Sequence, residues 1–393
     1  MMKQIGIVFR KEVRDNLRDR RALYSAIFFP LLGPILIAVM FTVIGKVQAD
    51  QEEKTLDLPI QGVQHAPGLV TFLKQHDIAI KPAPDDPEAA VRSGNLDVVL
   101  IIPENYGEDL RKGLPATVQV VLDKSRQSAS VSRRRVQDML YSYGSSIGRL
   151  RLLARGISPN VGDALAIESI DVSTPQSRAA GILNAMLPYF IIFACFMGGL
   201  YITIDTTTGE RERGSLEPLL MNPAKRSDFV LGKLGATLIF TIFAVVESLL
   251  AFMVVLRFIS LENLGLRIVS LSPSTILAIF LITIPIMLLA VSLQMIIASY
   301  TRSFKEAQTY LSLLPIVPAL PSLMLSFLPV KTKLWMMLVP TFGQQLLINK
   351  LMRGEPLETI HVTVSAAATL CVGLILTYVV AKLYERETVV FGR

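Results

Sequence analysis

The residues best able to do chemistry lie in one polar string between two long apolar runs: Thr206-Thr-Thr-Gly-Glu-Arg-Glu-Arg-Gly-Ser-Leu-Glu-Pro-Leu-Leu-Met-Asn-Pro-Ala-Lys-Arg226. Thr207 and Glu210 have capping-box spacing, which predicts a helix start there. Asn222-Pro223 predicts its end. On such a helix Leu216, Leu219 and Leu220 share one side. Glu210, Arg213 and Glu217 lie on another, at spacings that let them pair. A short two-faced helix joined to two spans suits transmission of force from a soluble partner. A solvated connecting loop is the plainer alternative.

Three other groups merit weighing. Glu247 sits near the middle of an apolar run, where a carboxylate costs about 3 kcal/mol or more unless paired, protonated or wetted. It reads either as a cation or proton contact in a pathway, with Asn184 and Gln294 as polar candidates on other spans, or as a protonated acid bonded to a neighbouring span. Arg302 and Lys305 lie in a second basic string, Thr301–Gln308, which is either a second contact or a plain connector. Arg133-Arg134-Arg135, Arg149, Arg151 and Arg155 fall largely off the apolar stripe of a predicted helix. They would meet an anion or form a solvated face.

Several chemistries find no support. No Gly-x-x-x-x-Gly-Lys-[Ser/Thr] string occurs, so the sequence carries no phosphate-binding loop and predicts no ATP hydrolysis of its own. Neither a Gly-x-Ser-x-Gly elbow nor a His-Glu-x-x-His pair is present. His65, His76 and His361 are far apart in sequence, which predicts no metal cluster. Cys195 and Cys371 lie in apolar runs and cannot staple a soluble part.

The elements that must hold these residues are written in the hydropathy. Of 393 residues, 51% are hydrophobic and gathered into long runs, so the chain reads as an integral membrane protein with a soluble insertion. The net charge of +7 collects at the ends of runs, an orientation signal rather than a nucleic-acid signal. Residues 1–21 predict an amphipathic helix in the headgroup layer, with Ile5, Phe9, Val13 and Leu17 on one face and Lys11, Arg14 and Arg18 on the other. Six spans follow: 22–45, 181–204, 234–256, 274–299, 309–328 and 360–381. Pro30, Gly33 and Pro34 predict a kink in the first, Pro285 one in the fourth, and Pro315, Pro318 and Pro321 interrupt the fifth. The two apolar pieces within 330–355 are too short to cross and predict a re-entrant or interfacial hairpin. Residues 205–233 form the loop bearing the charged string, and 382–393 a tail. Arginines before the first span put both termini in the cytoplasm and 46–176 outside.

Within 46–176, strands are predicted at Leu56–Val63, Leu96–Ile102, Thr117–Leu122 and Ala166–Val172. Short helices are predicted at Pro67–Gln75, Asp86–Ser93 and Pro103–Arg111, and a long one at Ser125–Arg155. Such alternation argues a small α/β domain with a partly parallel sheet.

Gly209-Glu-Arg-Glu-Arg-Gly-Ser-Leu-Glu-Pro-Leu-Leu220, with Asn222-Pro223 and Gly232-Lys233 at the mouth of the next span, resembles the permease subunits of ABC transporters of the ABC-2 type, in particular the sodium-exporter, NatB-like branch. Gly94–Gly107 and the placing of an α/β insertion between the first two spans are similar to that branch as well. The resemblance implies an α-helical membrane protein of six spans, of type V exporter-like architecture, with an extracytoplasmic α/β domain. It implies that Glu210, Arg211, Glu212, Arg213, Gly214, Leu216 and Glu217 belong to a coupling helix that contacts an ATPase subunit, with Arg302 and Lys305 as a second contact. ATP and magnesium would be bound by that partner, no cofactor by this chain, and a second copy or a paralogue would complete the pathway in a prokaryotic cytoplasmic membrane. The implied activity is export of sodium or another small cation. Drugs, lipids and glycans are alternatives within the family. A membrane-anchored receptor or scaffold whose outer domain binds a ligand, or a gradient-driven antiporter using Glu247, are alternatives outside it.

Overall fold

A computed structural model describes the chain apart from residues 1, 54–55, 127–128, 163–174, 216–217, 219–224, 259–270, 319, 322–331 and 386–393. Side chains at 2, 44, 47–53, 130–131, 162 and 175–185 also lie outside the description. Two compact units result: Met1–Gln48 with Val172–Arg393, and Ala49–Asp171.

The first unit is helical. It contains α1 (Met2–Arg18) and α2 (Arg20–Glu53) up to Gln48, and after the second unit α7 (Pro175–Met197), α8 (Leu200–Ile204) and α9 (Glu210–Glu212). The unit ends with α10 (Arg226–Phe258), α11 (Pro273–Tyr300), α12 (Phe304–Leu313), α13 (Phe342–Met352) and α14 (Thr359–Glu385). Among the described residues, five helical stretches are long and apolar enough to cross a membrane: Arg20–Val43, Met186–Glu212, Arg226–Phe258, Pro273–Tyr300 and Thr359–Glu385. Pro30 and Pro34 lie inside α2 and Pro285 inside α11 without ending either helix.

The predicted fifth span, 309–328, is not one of the five. The α-helix over its first residues ends at Leu313, and a turn covers Leu314 and Pro315. Proline lacks the N–H that would continue the ladder, and its ring clashes with the preceding turn. Residues 322–328 lie outside the described residues. One nearby carbonyl has a side-chain partner: Gln345 of α13 donates from Nε2 to Pro318 O at 2.6 Å. The expected short pieces before the last span are a 3-10 turn at Leu334–Leu338 and α13.

Small residues decide how closely two helix pairs approach. A Cβ on Gly198 would fall 2.3 Å from Ala244 Cβ, and one on Gly199 2.5 Å from Thr241 Oγ1, so α7 and α8 meet α10 almost backbone to backbone. A Cβ on Gly232 would fall 2.7 Å from Val8 Cβ, which brings α1 down onto α10. The buried stripe of α1 is therefore Val8, Glu12 and Asn16, whereas Leu17, expected on the apolar face, is exposed. This helix is organised by a protein neighbour as well as by any lipid surface.

The second unit is a four-stranded sheet of β1 (Leu56–Gln61), β2 (Ile78–Pro82), β3 (Val98–Ile101) and β4 (Gln119–Leu122), in the order β2-β1-β3-β4. β1 is parallel to β2 and β3, and β4 runs antiparallel to β3. The helices α3 (Pro67–Gln75), α4 (Pro87–Ser93), α5 (Tyr106–Lys112) and α6 (Ser130–Ala154) alternate with or follow the strands. Leu58, Ile60, Leu69, Leu73, Leu100 and Val136 form its core. β2 has no counterpart in the prediction, and the predicted strand Ala166–Val172 lies almost wholly outside the described residues.

Candidate functional site

The polar string does not begin a new helix at Thr207. The helix of the second span runs on through it: α8 passes into a π-helical stretch, Asp205–Gly209, and then into α9. Thr206 donates its hydroxyl to Ile202 O at 2.7 Å, and Thr207 to Thr203 O. These hydroxyls bond back one turn instead of capping forward, so the capping box does not form. Thr208 turns outward from its own helix and donates to Ala298 O at 2.7 Å, with Thr301 Oγ1 at 2.9 Å.

Glu210 is buried at 7% exposure, and its partner is Lys233, whose side chain is fully enclosed. Lys233 Nζ donates to Glu210 Oε2 and to Thr206 O. A buried ammonium needs such partners, because desolvation otherwise drives it neutral or unfolds its surroundings. Lys11 of α1 approaches the other oxygen, Oε1, at 3.4 Å, and also lies 3.0 Å from Glu12 Oε1 and 3.7 Å from Asp15. Two lysines and two glutamates thus share one site at the junction of α1, α9 and α10. Burial pushes the Glu12 carboxyl above its ordinary range, against the opposing pull of Lys233. Burial works against the Lys11 ammonium, yet Glu12 and Glu210 outweigh it and hold its pKa above the usual value.

The next residues reach the other side. Arg211 donates from Nη1 to Ser299 O at 2.9 Å, in the last turn of α11. Glu212 accepts from Phe304 N at 2.7 Å, at the first residue of α12. A cation on a helix C-terminus and an anion on a helix N-terminus both complement the backbone dipoles. Arg213 turns back to Asp205, with Nη1 2.7 Å from Oδ1. That carboxylate holds the guanidinium pKa above its ordinary value. In place of the expected Glu210–Arg213 pairing the structure has Glu210–Lys233 and Arg213–Asp205; the expected part of Glu217 lies outside the described residues. Gly214, at φ 69°, takes the left-handed conformation after α9. Leu216 and Glu217 lie outside the described residues, as does the predicted stop at Asn222-Pro223.

Arg302 is exposed on the connection into α12 and Lys305 is exposed in its first turn, which Glu212 grips through Phe304 N. Thr208, Arg211 and Glu212 together tie the string to the α11–α12 corner.

Of the polar candidates within the spans, Glu247 and Gln294 lie among different neighbours. Glu247 faces an apolar groove of about 440 Å³ lined by Leu31, Phe243, Leu250 and Val254, and its Oε2 has no hydrogen-bond partner among the described residues. Gln294 is buried elsewhere: its Nε2 donates to Phe196 O, and Thr203 Oγ1 lies 3.4 Å from its Oε1. The two residues point to different neighbours because α2 flanks Glu247, whereas α7 and α8 flank Gln294. Asn184 is on α7, with its side chain outside the described residues. Among the described residues no group of three His, Cys, Asp or Glu side chains could hold a metal.

Sequence reasoning missed Lys233 as a site residue, placing it only at the mouth of the third span, and missed Lys11, Glu12, Asp205 and Ser299. A lysine one residue before a predicted apolar run was the available signal. Its partner, 23 positions earlier, was not.

The profile of the ABC-2 family transporter proteins matches residues 24–382. The chain is also similar to the ABC transporter permease protein NatB of Bacillus subtilis strain 168, at 28% identity over 351 residues, covering 88% of this chain and 89% of that protein.

Proposed function

Since the chain belongs to the ABC-2 transporter family as a permease subunit, we propose that it converts ATP hydrolysis by a separate ATPase subunit into export across a prokaryotic cytoplasmic membrane. One observation carries this reading. The second span continues without a loop into a charged root, Glu210–Glu212, that is tied to four other helices at once: α1 through Lys11, α10 through Lys233, α11 through Ser299 and α12 through Phe304. A load applied to the segment beyond Gly214 would reach all of them, because charge-assisted hydrogen bonds are stronger than neutral ones and specific in geometry. The ATPase would supply that load at residues 210–217 and at Arg302 and Lys305, on the cytoplasmic side with both termini. The unit Ala49–Asp171 would face the opposite side.

ATP and magnesium belong to the partner in this reading, and this chain acts as no enzyme. A second copy or a paralogue would complete the pathway. Sodium or another small cation is the substrate that the resemblance to the NatB-like branch favours, ahead of drugs, lipids and glycans. Co-reconstitution with the ATPase subunit tests the proposal. The expected result is vanadate-sensitive ATP hydrolysis that depends on this chain and drives cation flux out of the cytoplasmic compartment. Flux without ATP would favour a gradient-driven antiporter, and ligand binding with neither flux nor stimulated hydrolysis a receptor.

A further inference from the structure

The α/β unit holds a cleft that nothing above uses. α6 packs Val136, Leu140 and Tyr143 toward the sheet. The following turns carry Gly144, Ile147, Gly148 and Arg151 along a cleft of about 350 Å³, whose other walls include Leu110 and Val118. That volume is in the range that holds small-molecule ligands. Glycine inside a helix weakens it relative to alanine. A Cβ added at Gly144 or Gly148 would meet nothing within 4 Å, so no internal neighbour demands either residue. Gly68 is different, since its added Cβ would come 3.1 Å from the Tyr143 hydroxyl. The two glycines of α6 thus keep open a space that the domain itself leaves unfilled.

The cleft has chemical polarity. Tyr106 and Tyr143 both line it, and burial, followed by the neighbouring Tyr143 side chain, pushes the Tyr106 phenol up to about 12. Arg151 donates from Nη1 to Gly113 O at 3.2 Å and Leu114 O at 3.3 Å, and from Nη2 to Leu110 O at 2.8 Å. Those bonds use three of its five N–H groups. Arg155 lies alongside, its Nη2 3.4 Å from where a Cβ on Gly113 would stand. Neither arginine has a carboxylate in ion-pair reach among the described residues. One end of an apolar cleft therefore carries the Arg151 guanidinium, held by backbone carbonyls and with no carboxylate beside it among the described residues, while Arg155 lies close by outside the lining; the complementary occupant has an apolar chain and an anionic head.

We propose that this cleft binds a single-chain carboxylate amphiphile of the fatty-acid class, its chain along Gly144 and Gly148 and its head toward Arg151 and Arg155. The proposal holds independently of whether the chain transports. The test uses the full chain in nanodiscs of zwitterionic phosphatidylcholine and, as probe, decanoic acid bearing a diazirine and an alkyne. After irradiation, labelled peptides are expected within 106–118 and 140–151. Excess decanoate should suppress that labelling at least fivefold, and decanol or decyltrimethylammonium should not. Gly144→Leu with Gly148→Leu fills the cleft with a better helix former and should cut labelling at least fivefold, with the circular dichroism spectrum unchanged. Arg155→Glu should raise the decanoate needed for competition several-fold. Labelling confined to other peptides, labelling indifferent to the double leucine variant, or equal competition by decanol or by the cationic amphiphile would each overturn the proposal.

Discussion

Glu210 and Glu247 are both carboxylates on long apolar helices, and the protein treats them in opposite ways. Glu210 is enclosed with Lys233, and Lys11 reaches its second oxygen. Glu247 borders a groove of apolar side chains, several of them exposed, and one of its oxygens has no partner among the described residues. Charge at Glu210 is met by a lysine within the same fold, and removing either member leaves the other buried without its partner. Among the described residues no ion pair reaches Glu247, and its surroundings are apolar side chains. A polar residue in a span is thus informative only together with what surrounds it.

The contrast can be broken most forcefully at Lys233. Lys233→Met should strand Glu210 without its enclosed partner and destabilise the membrane unit by about 3–5 kcal/mol, read as a lower unfolding midpoint in nanodiscs. Adding Glu210→Leu should restore most of the loss. An equally unstable double variant would mean that Lys233 matters for packing alone. Arg211→Ala removes a charge-assisted bond to the end of α11, a contribution of about 1.5–3 kcal/mol. Insertion should be spared while the ratio of flux to ATP hydrolysis falls about tenfold. An unchanged ratio would remove Arg211 from the transmission path.

Glu12 offers a gentler probe. Its folded pKa lies above the ordinary value of about 4.5, so the folded state holds the proton more tightly than the unfolded state. The associated stability is complete below that value and is lost as pH rises through the folded pKa. Glu12→Gln should flatten this slope in a pH series of unfolding midpoints. A slope left intact would assign it to another group. The smallest effect is expected at Glu247→Gln, which keeps the shape of the protonated acid. Stability should shift by no more than about 0.5 kcal/mol, as at positions without structural partners, and cation flux should hold within twofold. A several-fold fall in flux would restore Glu247 to the pathway and erase the contrast with which this section began.

Hydropathy located the apolar runs because each is a property of consecutive residues. The described spans differ from prediction chiefly in running longer, as Arg226–Phe258 does against 234–256. Prolines were less uniform guides. Pro30, Pro34 and Pro285 are carried inside helices, whereas the helix entering the predicted fifth span stops at Leu313, ahead of Pro315. β2 escaped detection because Ile78–Pro82 is five residues long, ends in proline, and follows Asp77 in a left-handed conformation at φ 56°. The polar string was legible as a place but not as a set of contacts. Thr207 and Glu210 satisfy a capping rule that is local. The fold overrides it with a lysine 23 positions on and a helix 88 or more positions away. Tertiary charge pairing leaves no periodic trace in one sequence.

The π-helical stretch Asp205–Gly209 has a mechanical corollary. Wide turns of this kind accommodate an extra residue in a rod whose remainder keeps ordinary α geometry. Each α-helical residue advances the azimuth by about 100°. Were those five residues to tighten into regular turns, everything beyond them would swivel by roughly that angle about the rod, carrying Arg211 off its carbonyl and Glu210 away from the ammonium. The polar string beyond this stretch therefore keeps its angular setting only while the wide turns persist.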